Sequence, residues 1–340
     1  MKRPLLKPPA GDGEIIFLPD LASFVAAITP STRIGVCHQP YFFNPGVSLK
    51  FLFLESLPDA CKEIIFLDTD RAHIETRVPT PGGKTEVLTF INSDSILSNF
   101  VTKKGYDLNH FIKEYDYLLC KSIDLINNDA YNTFSAFTTL LLKKAHLSGL
   151  KEVLARSFLE FYSISRSYRF LSDLCTDEAF RVFFRSIQEH HRSFREIFNA
   201  SLDEYRATFR FRYRHFPFPH LQEDELPFWI VREGKRCRLF AHDIEKSDPL
   251  KAPIVPRAVT ITIFLRLYRL DMFIHGIGGG NYEWVQDRII ERFFGRQPPP
   301  YAITSGTFLL GQVPERDLPY FLFQPDRIKA RVLAFIADRA

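Results

Sequence analysis

An α/β fold built on a parallel sheet, with a helical subdomain inserted in it, is expected from two stretches of this 340-residue chain. Residues 33–68 read buried strand, loop, apolar helix, buried strand, the βαβ pattern that builds parallel sheets. Residues 106–205 carry almost unbroken helical periodicity with a single glycine, Gly149, and separate that unit from further strands.

The elements follow in order. The proline-rich opening, residues 1–13, reads as a flexible arm. Residues 14–105 form the first part of the core: a short apolar segment and the helix LASFVAAI, then the strand RIGVC (33–37). The loop HQPYFFNPG leads into the helix VSLKFLFLESL, and EIIFLD (63–68) is the next buried strand. Extended segments around a Pro-Gly-Gly turn come next. The helical insertion spans 106–205. Residues 206–340 return to strands: LPFWIVREGKRCRLF is a hairpin turning at Glu233-Gly234, and VPRAVTITIFLRLYRL begins a helix. DMFIH then feeds the sheet, NYEWVQDRIIERFFG is an amphipathic helix capped by its final glycine, and YAITSGTFLL is strand-like before a short terminal helix.

Composition narrows the function classes. With 46% hydrophobic and 25% charged residues, the chain can bury a large core, and its 34 phenylalanines suit an aromatic one. The net charge of +4 is small. On a strand, RATFRFRYR (206–214) would present a basic face, but no second basic cluster accompanies it, so no nucleic-acid partner is expected. The five cysteines are far apart and show no metal-binding spacing. With no apolar leader and no run long enough to span a bilayer, a reduced cytoplasmic protein without a membrane partner is expected.

Four groups are candidates for chemistry. His38 and Gln39, with Asn44 and Gly46, lie between a strand and a helix, where unpaired helix N–H groups attract anions. His275 precedes Gly276, Gly278, Gly279 and Gly280. The spacing lacks the third glycine of a dinucleotide fingerprint, and no Gly-Lys-Ser/Thr follows for a phosphate loop of the Walker type. What remains is a glycine loop before a helix, suited to phosphate or carboxylate, with His275 as acid or base. Ser305 and Thr307 could add hydroxyl donors. Asp68, Asp70, His73 and Glu75 sit beyond a strand end, where they could hold Mg²⁺ through water or bind a substrate amine. Cys37 and His38 are adjacent on extended backbone and point opposite ways, which argues against a Cys/His dyad.

GVCHQPYFFNPGVSLKFLF with EIIFLDTDRAHIE, and later PIVPRAVTITIFLRLYRLDMFIHGIGGGNYEWVQDRIIERFF, resemble the cysteine ligase family of bacillithiol biosynthesis. Gln39, Asp70, Arg257, Gly278, Gly279 and Tyr282 carry the match, which covers about a third of the chain. The first half is also similar to the WbqC family of surface-polysaccharide gene clusters. The resemblance implies a Rossmann-like core related to HIGH-type nucleotidylyltransferases, a homodimer, and a bound nucleotide such as ATP or ADP. It implies a ligase or transferase that joins an amino acid or other carboxylate to an amine, as on an amino sugar. On that reading the glycine loop holds phosphates, His38 and His275 stabilise transferring charge, Asp70 orients the amine, Arg257 binds the carboxylate, and Tyr282 and His73 contact the small-molecule substrate. His38 replaces the family's first glutamine, and Lys50 falls off the position of its helix lysine. Those departures favour the alternative, a non-catalytic ligand-binding or scaffold protein.

Overall fold

A computed structural model describes residues 6–7, 9–10, 14–40, 45–80, 84–99, 117, 135–136, 139–144, 149–211, 217–245, 253–307 and 332–338. The fold is α/β. Its main sheet has six strands in the order β1 (Ile15–Leu18), β11 (Tyr301–Gly306), β10 (Met272–His275), β2 (Arg33–His38), β3 (Cys61–Phe66), β6 (Tyr168–Phe170). All neighbours pair in parallel except β1, which runs antiparallel along the β11 edge.

Strands covered on both faces read as continuous apolar runs rather than alternating ones, and these do. Ile34, Val36, Ile64, Phe66, Met272 and Ile274 point into one core with helices α2 (Pro45–Ser56) and α3 (Leu150–Phe161). Ile65 and Phe273 point the other way, into a second core. That core holds α5 (Glu178–Glu189), α6 (His191–Phe209), α8 (Ala258–Tyr268) and α9 (Ile277–Phe294); the short helices α1 (Leu21–Ala26), α4 (Leu171–Leu174) and α7 (Ala241–Glu245) take the remaining numbers. From β2 the chain crosses through α2 to β3; from β10 it crosses through α9 to β11, on the other side of β2. Strand order therefore reverses between β2 and β10, and a crevice opens at their carboxyl ends.

A second, antiparallel sheet joins distant segments in the order β4 (Arg71–Thr80), β5 (Lys84–Ile96), β8 (Lys235–Phe240), β7 (Glu225–Arg232), β9 (Ile254–Pro256). The hairpin turn falls at the expected pair: Glu233 and Gly234 have φ of 50° and 77°, the left-handed conformation that matches strand twist in a two-residue turn. Gly295, with φ of 62°, ends α9 as its sequence indicates. Among the described residues no helix is long and apolar enough to cross a membrane.

Three readings need correction. The helical run 106–205 contains β6, which extends the sheet beside β3; three residues between helices are too few to show a period. RATFRFRYR does not begin as a strand: Arg206 lies in the last turn of α6, which stops at Arg210 with φ of 57°. Arg206 is buried and donates to Phe218 O, so it does not belong to a basic face, and residues 212–216 lie outside the described set. The glycines after His275 form no loop. Gly276 is the N-cap of α9, and Gly278, Gly279 and Gly280 lie in its first turn, none at positive φ.

Candidate active site

A cavity of about 530 Å³ opens at the crevice between β2 and β10. That volume suits a small molecule or cofactor. It gathers His38 and Gln39 from the end of β2, Gly46 and Lys50 from α2, His275 from β10, and Gly276, Gly278, Gly279 and Tyr282 from α9. Ser305 and Thr307 from the end of β11 complete it. Thr307 is tied to the N-terminal segment: its N–H donates to Glu14 O at 3.1 Å and its hydroxyl to Pro9 O.

The first turn of α9 has no capping side chain, and its first internal bond runs from Gly280 N to Gly276 O. The N–H groups of the preceding positions have no intrahelical acceptor, and they carry the positive end of an eighteen-residue helix. The glycines there differ in purpose. A Cβ on Gly279 would lie 2.5 Å from His275 Nδ1, and one on Gly280 would lie 2.3 Å from Ile303 Cδ1, whereas one on Gly278 would meet nothing within 4 Å. Close packing, not positive φ, explains two of the four. Gly279→Ala is thus expected to displace the imidazole and cost about 1–3 kcal/mol. Gly278→Ala is expected to be neutral or to stabilise by up to about 1 kcal/mol. Thermal unfolding of the two variants checks the contrast.

His275 is fixed from beneath. Its Nε2 lies 2.5 Å from Glu283 Oε1, off the line of a straight hydrogen bond. Glu283 also pairs with Arg266, which reaches Asp287 at 2.8 Å and donates to Pro299 O. Arg266 and Glu283 are fully buried. Burial holds the His275 pKa below its ordinary value, against the opposing pull of Glu283, so the ring is neutral at pH 7. With Nε2 against a carboxylate, Nδ1 lies over Gly279 at the cavity wall.

His38 is also neutral, its pKa pushed down to about 3 by burial and then by Lys50. Its Nδ1 sits 3.1 Å from Gln39 O. A carbonyl only accepts, so the proton is on Nδ1 and Nε2 carries a lone pair. In that tautomer Nε2 cannot donate to a phosphate. Neighbouring Cys37 has its thiol pushed up to about 12 by burial, so no thiolate forms beside it.

Lys50 is the principal cavity group that sequence reasoning did not assign to the site, counting it only as a departure from the resemblance. It is 4% exposed, and its one hydrogen bond among the described residues, to Cys37 O, is long at 3.5 Å. No carboxylate lies within ion-pair distance of it among the described residues. Burial lowers its pKa to about 8. A signal was present: VSLKFLFL has one charged residue in a helix apolar all round, and such a helix is buried on every side. Arg266 in IFLRLY, Glu283 and Gln286 were missed in the same way.

The other predicted residues lie elsewhere. Arg257 caps α8 outside the cavity, paired with Glu225 at 2.8 Å and stacked on Trp229 at 4.0 Å. Asp70 stands behind Gln39, accepting from its Nε2 at 2.7 Å and pairing with Arg236. Asp68 is taken up by Lys151 Nζ at 3.0 Å and by the Ser172 N–H and hydroxyl. Gly280 packs on Ile303 rather than lining the cavity. Asn44 lies outside the described residues, as do the side chains of His73 and Glu75. Among the described residues no group of three or more His, Cys, Asp or Glu could hold a metal ion.

No model of a known protein family matches the chain, and no curated protein matches it in sequence.

Proposed function

We propose that this protein is a nucleotide-binding, ligase-like enzyme that activates a carboxylate and passes it to an amine. The observation that carries the reading is Lys50: a buried ammonium without an acidic partner among the described residues, in one cavity with the uncapped first turn of α9. A cation kept in that state suits a bound anion, and helix N–H groups add donors for phosphate oxygens. The strand order supports a Rossmann-like core: the parallel strands in chain order are β2, β3, β6, β10 and β11, and they lie as third, second, first, fourth, fifth.

The residues divide the work as follows. Lys50 and the N–H groups of α9 hold the phosphates, and neutral His275 faces the reacting groups. A carboxylate oxygen attacks phosphorus and the leaving phosphate group departs toward Lys50. The amine then attacks the acyl carbon, its proton passes to His275 Nδ1, and the amide forms as the activating group is expelled. Asp70 acts through Gln39 rather than by touching substrate. The non-catalytic alternative shares the binding step and lacks the turnover.

A thermal-shift panel of ATP, ADP, CTP and amino acids tests the reading. At least one nucleotide is expected to raise the melting temperature; if none does, the nucleotide reading fails. Release of inorganic phosphate or pyrophosphate that requires both a carboxylate and an amine then separates the enzyme from a binding protein. A pH series adds a third check. The binding form of Lys50 is protonated, so nucleotide affinity is expected to hold below about pH 7 and fall as pH rises through about 8. Calorimetric titrations at pH 7 and pH 9 measure the difference.

A further inference from the structure

We infer that the cavity has a fixed polarity along α9, with phosphates at the glycine turn and a planar ring, the base of the nucleotide, between Phe218, Tyr282 and Gln286. This rests on the nucleotide reading above and says which part of the ligand goes where.

Gly278, Tyr282 and Gln286 all line the cavity and are spaced four residues apart on α9, so they form one stripe on one face. Eight residues of helix separate its ends by about 12 Å, the scale of a nucleoside phosphate rather than of a bare phosphate. The chemistry changes along that stripe. At its start are helix N–H groups, with Lys50 across the cavity and its Cδ 3.9 Å from where a Cβ on Gly276 would stand. One turn on, Tyr282 meets Phe218 edge to face at 5.0 Å between ring centroids, and Ile261 of α8 joins them in the wall. An aromatic wall offers a base a stacking surface or an edge contact.

At the far end Gln286 is 3% exposed, and its Oε1 is buried with no hydrogen-bond partner among the described residues. An unmet buried acceptor costs about 1–3 kcal/mol, which a ligand N–H beside the aromatic pair would recover. An amide carries both an acceptor and a donor, the pair needed to meet the edge of a heteroaromatic base. The cationic group and the helix N–H groups lie at the glycine end, so a bound nucleotide with its phosphates there has one favoured direction.

Calorimetry with ATP, adenosine and inorganic tripolyphosphate tests this on the unaltered protein. ATP is expected to bind at least thirtyfold more tightly than tripolyphosphate, and adenosine is expected to compete with ATP. Equal binding of ATP and tripolyphosphate would overturn the inference while leaving the phosphate site, and the reading it rests on, intact. If neither binds, both fall together. Gln286→Leu and Phe218→Ala, checked for folding by thermal unfolding, are each expected to lower the ATP-to-tripolyphosphate affinity ratio about tenfold; an unaltered ratio in both variants would also contradict the assignment.

Discussion

Lys50→Met is expected to melt at a higher temperature than the native protein. The pKa of Lys50 falls from 10.5 to about 8 on burial, so folding desolvates its charge at a cost of about 3 kcal/mol. Below pH 8 the ammonium is charged in both states and the whole cost applies. Between about pH 8 and 10.5 the folded protein sheds the proton while the unfolded chain keeps it, so stability rises with pH. Above that window both states are neutral and the cost is gone. Methionine fills a similar volume without the charge. The gain of the variant is therefore largest at neutral pH and disappears toward pH 10.5, which melting curves across that range would show. Under the proposed function the charge that costs the fold stability is the one that meets an arriving anion.

Glu283 is the second position with a large effect, and two replacements separate its roles. Among the described residues Glu283→Ala leaves buried Arg266 with Asp287 as its one acidic partner, and breaking a buried pair from one side costs about 3–5 kcal/mol. Denaturant unfolding should record that loss. Glu283→Gln keeps the shape and removes the charge that raises the His275 pKa against burial. In that variant the pKa falls further; under the proposed mechanism, in which His275 accepts the amine proton, the acidic limb of the kcat profile is expected to move to lower pH and the plateau to drop. A smaller kcat with an unmoved limb would make Glu283 purely structural. Asp287, pushed up to about 6 by burial, adds its own pH dependence: as pH falls through about 6 it gains a proton and its pairing with Arg266 weakens.

Much of the main sheet was legible in local pattern. Ile34 and Val36, Ile64 and Phe66, and Met272 and Ile274 are compact apolar runs bounded by turn residues, and Gly295 and the Glu233-Gly234 turn are conformational signals tied to single positions. Tyr168–Phe170 was not legible, because a three-residue edge strand exists only through its ladder with β3. The joining of the two hairpins into one second sheet was hidden for the same reason: β5 meets β8 through a pairing of Ser95 with Lys235 that no local pattern announces. At the site, the histidines and glycines stood out as unusual in kind. His38, Gln39, Gly46, His275, Gly276, Gly278, Gly279, Tyr282, Ser305 and Thr307 do meet in one cavity. Arg257 was drawn in by resemblance alone, and its guanidinium is committed to Glu225 and Trp229. Lys50, Arg266 and Glu283 are ordinary residue types made unusual by burial, and burial depends on what the rest of the chain places around them.

Calorimetric titration of ATP into the native protein and into Lys50→Met at pH 7 bears most directly on the proposed site. The native protein is expected to bind, and the variant, folded and more stable, is expected to bind roughly a hundredfold more weakly or not at all. Equal affinity in the two proteins, or no heat of binding in the native one, would contradict a phosphate site built around Lys50.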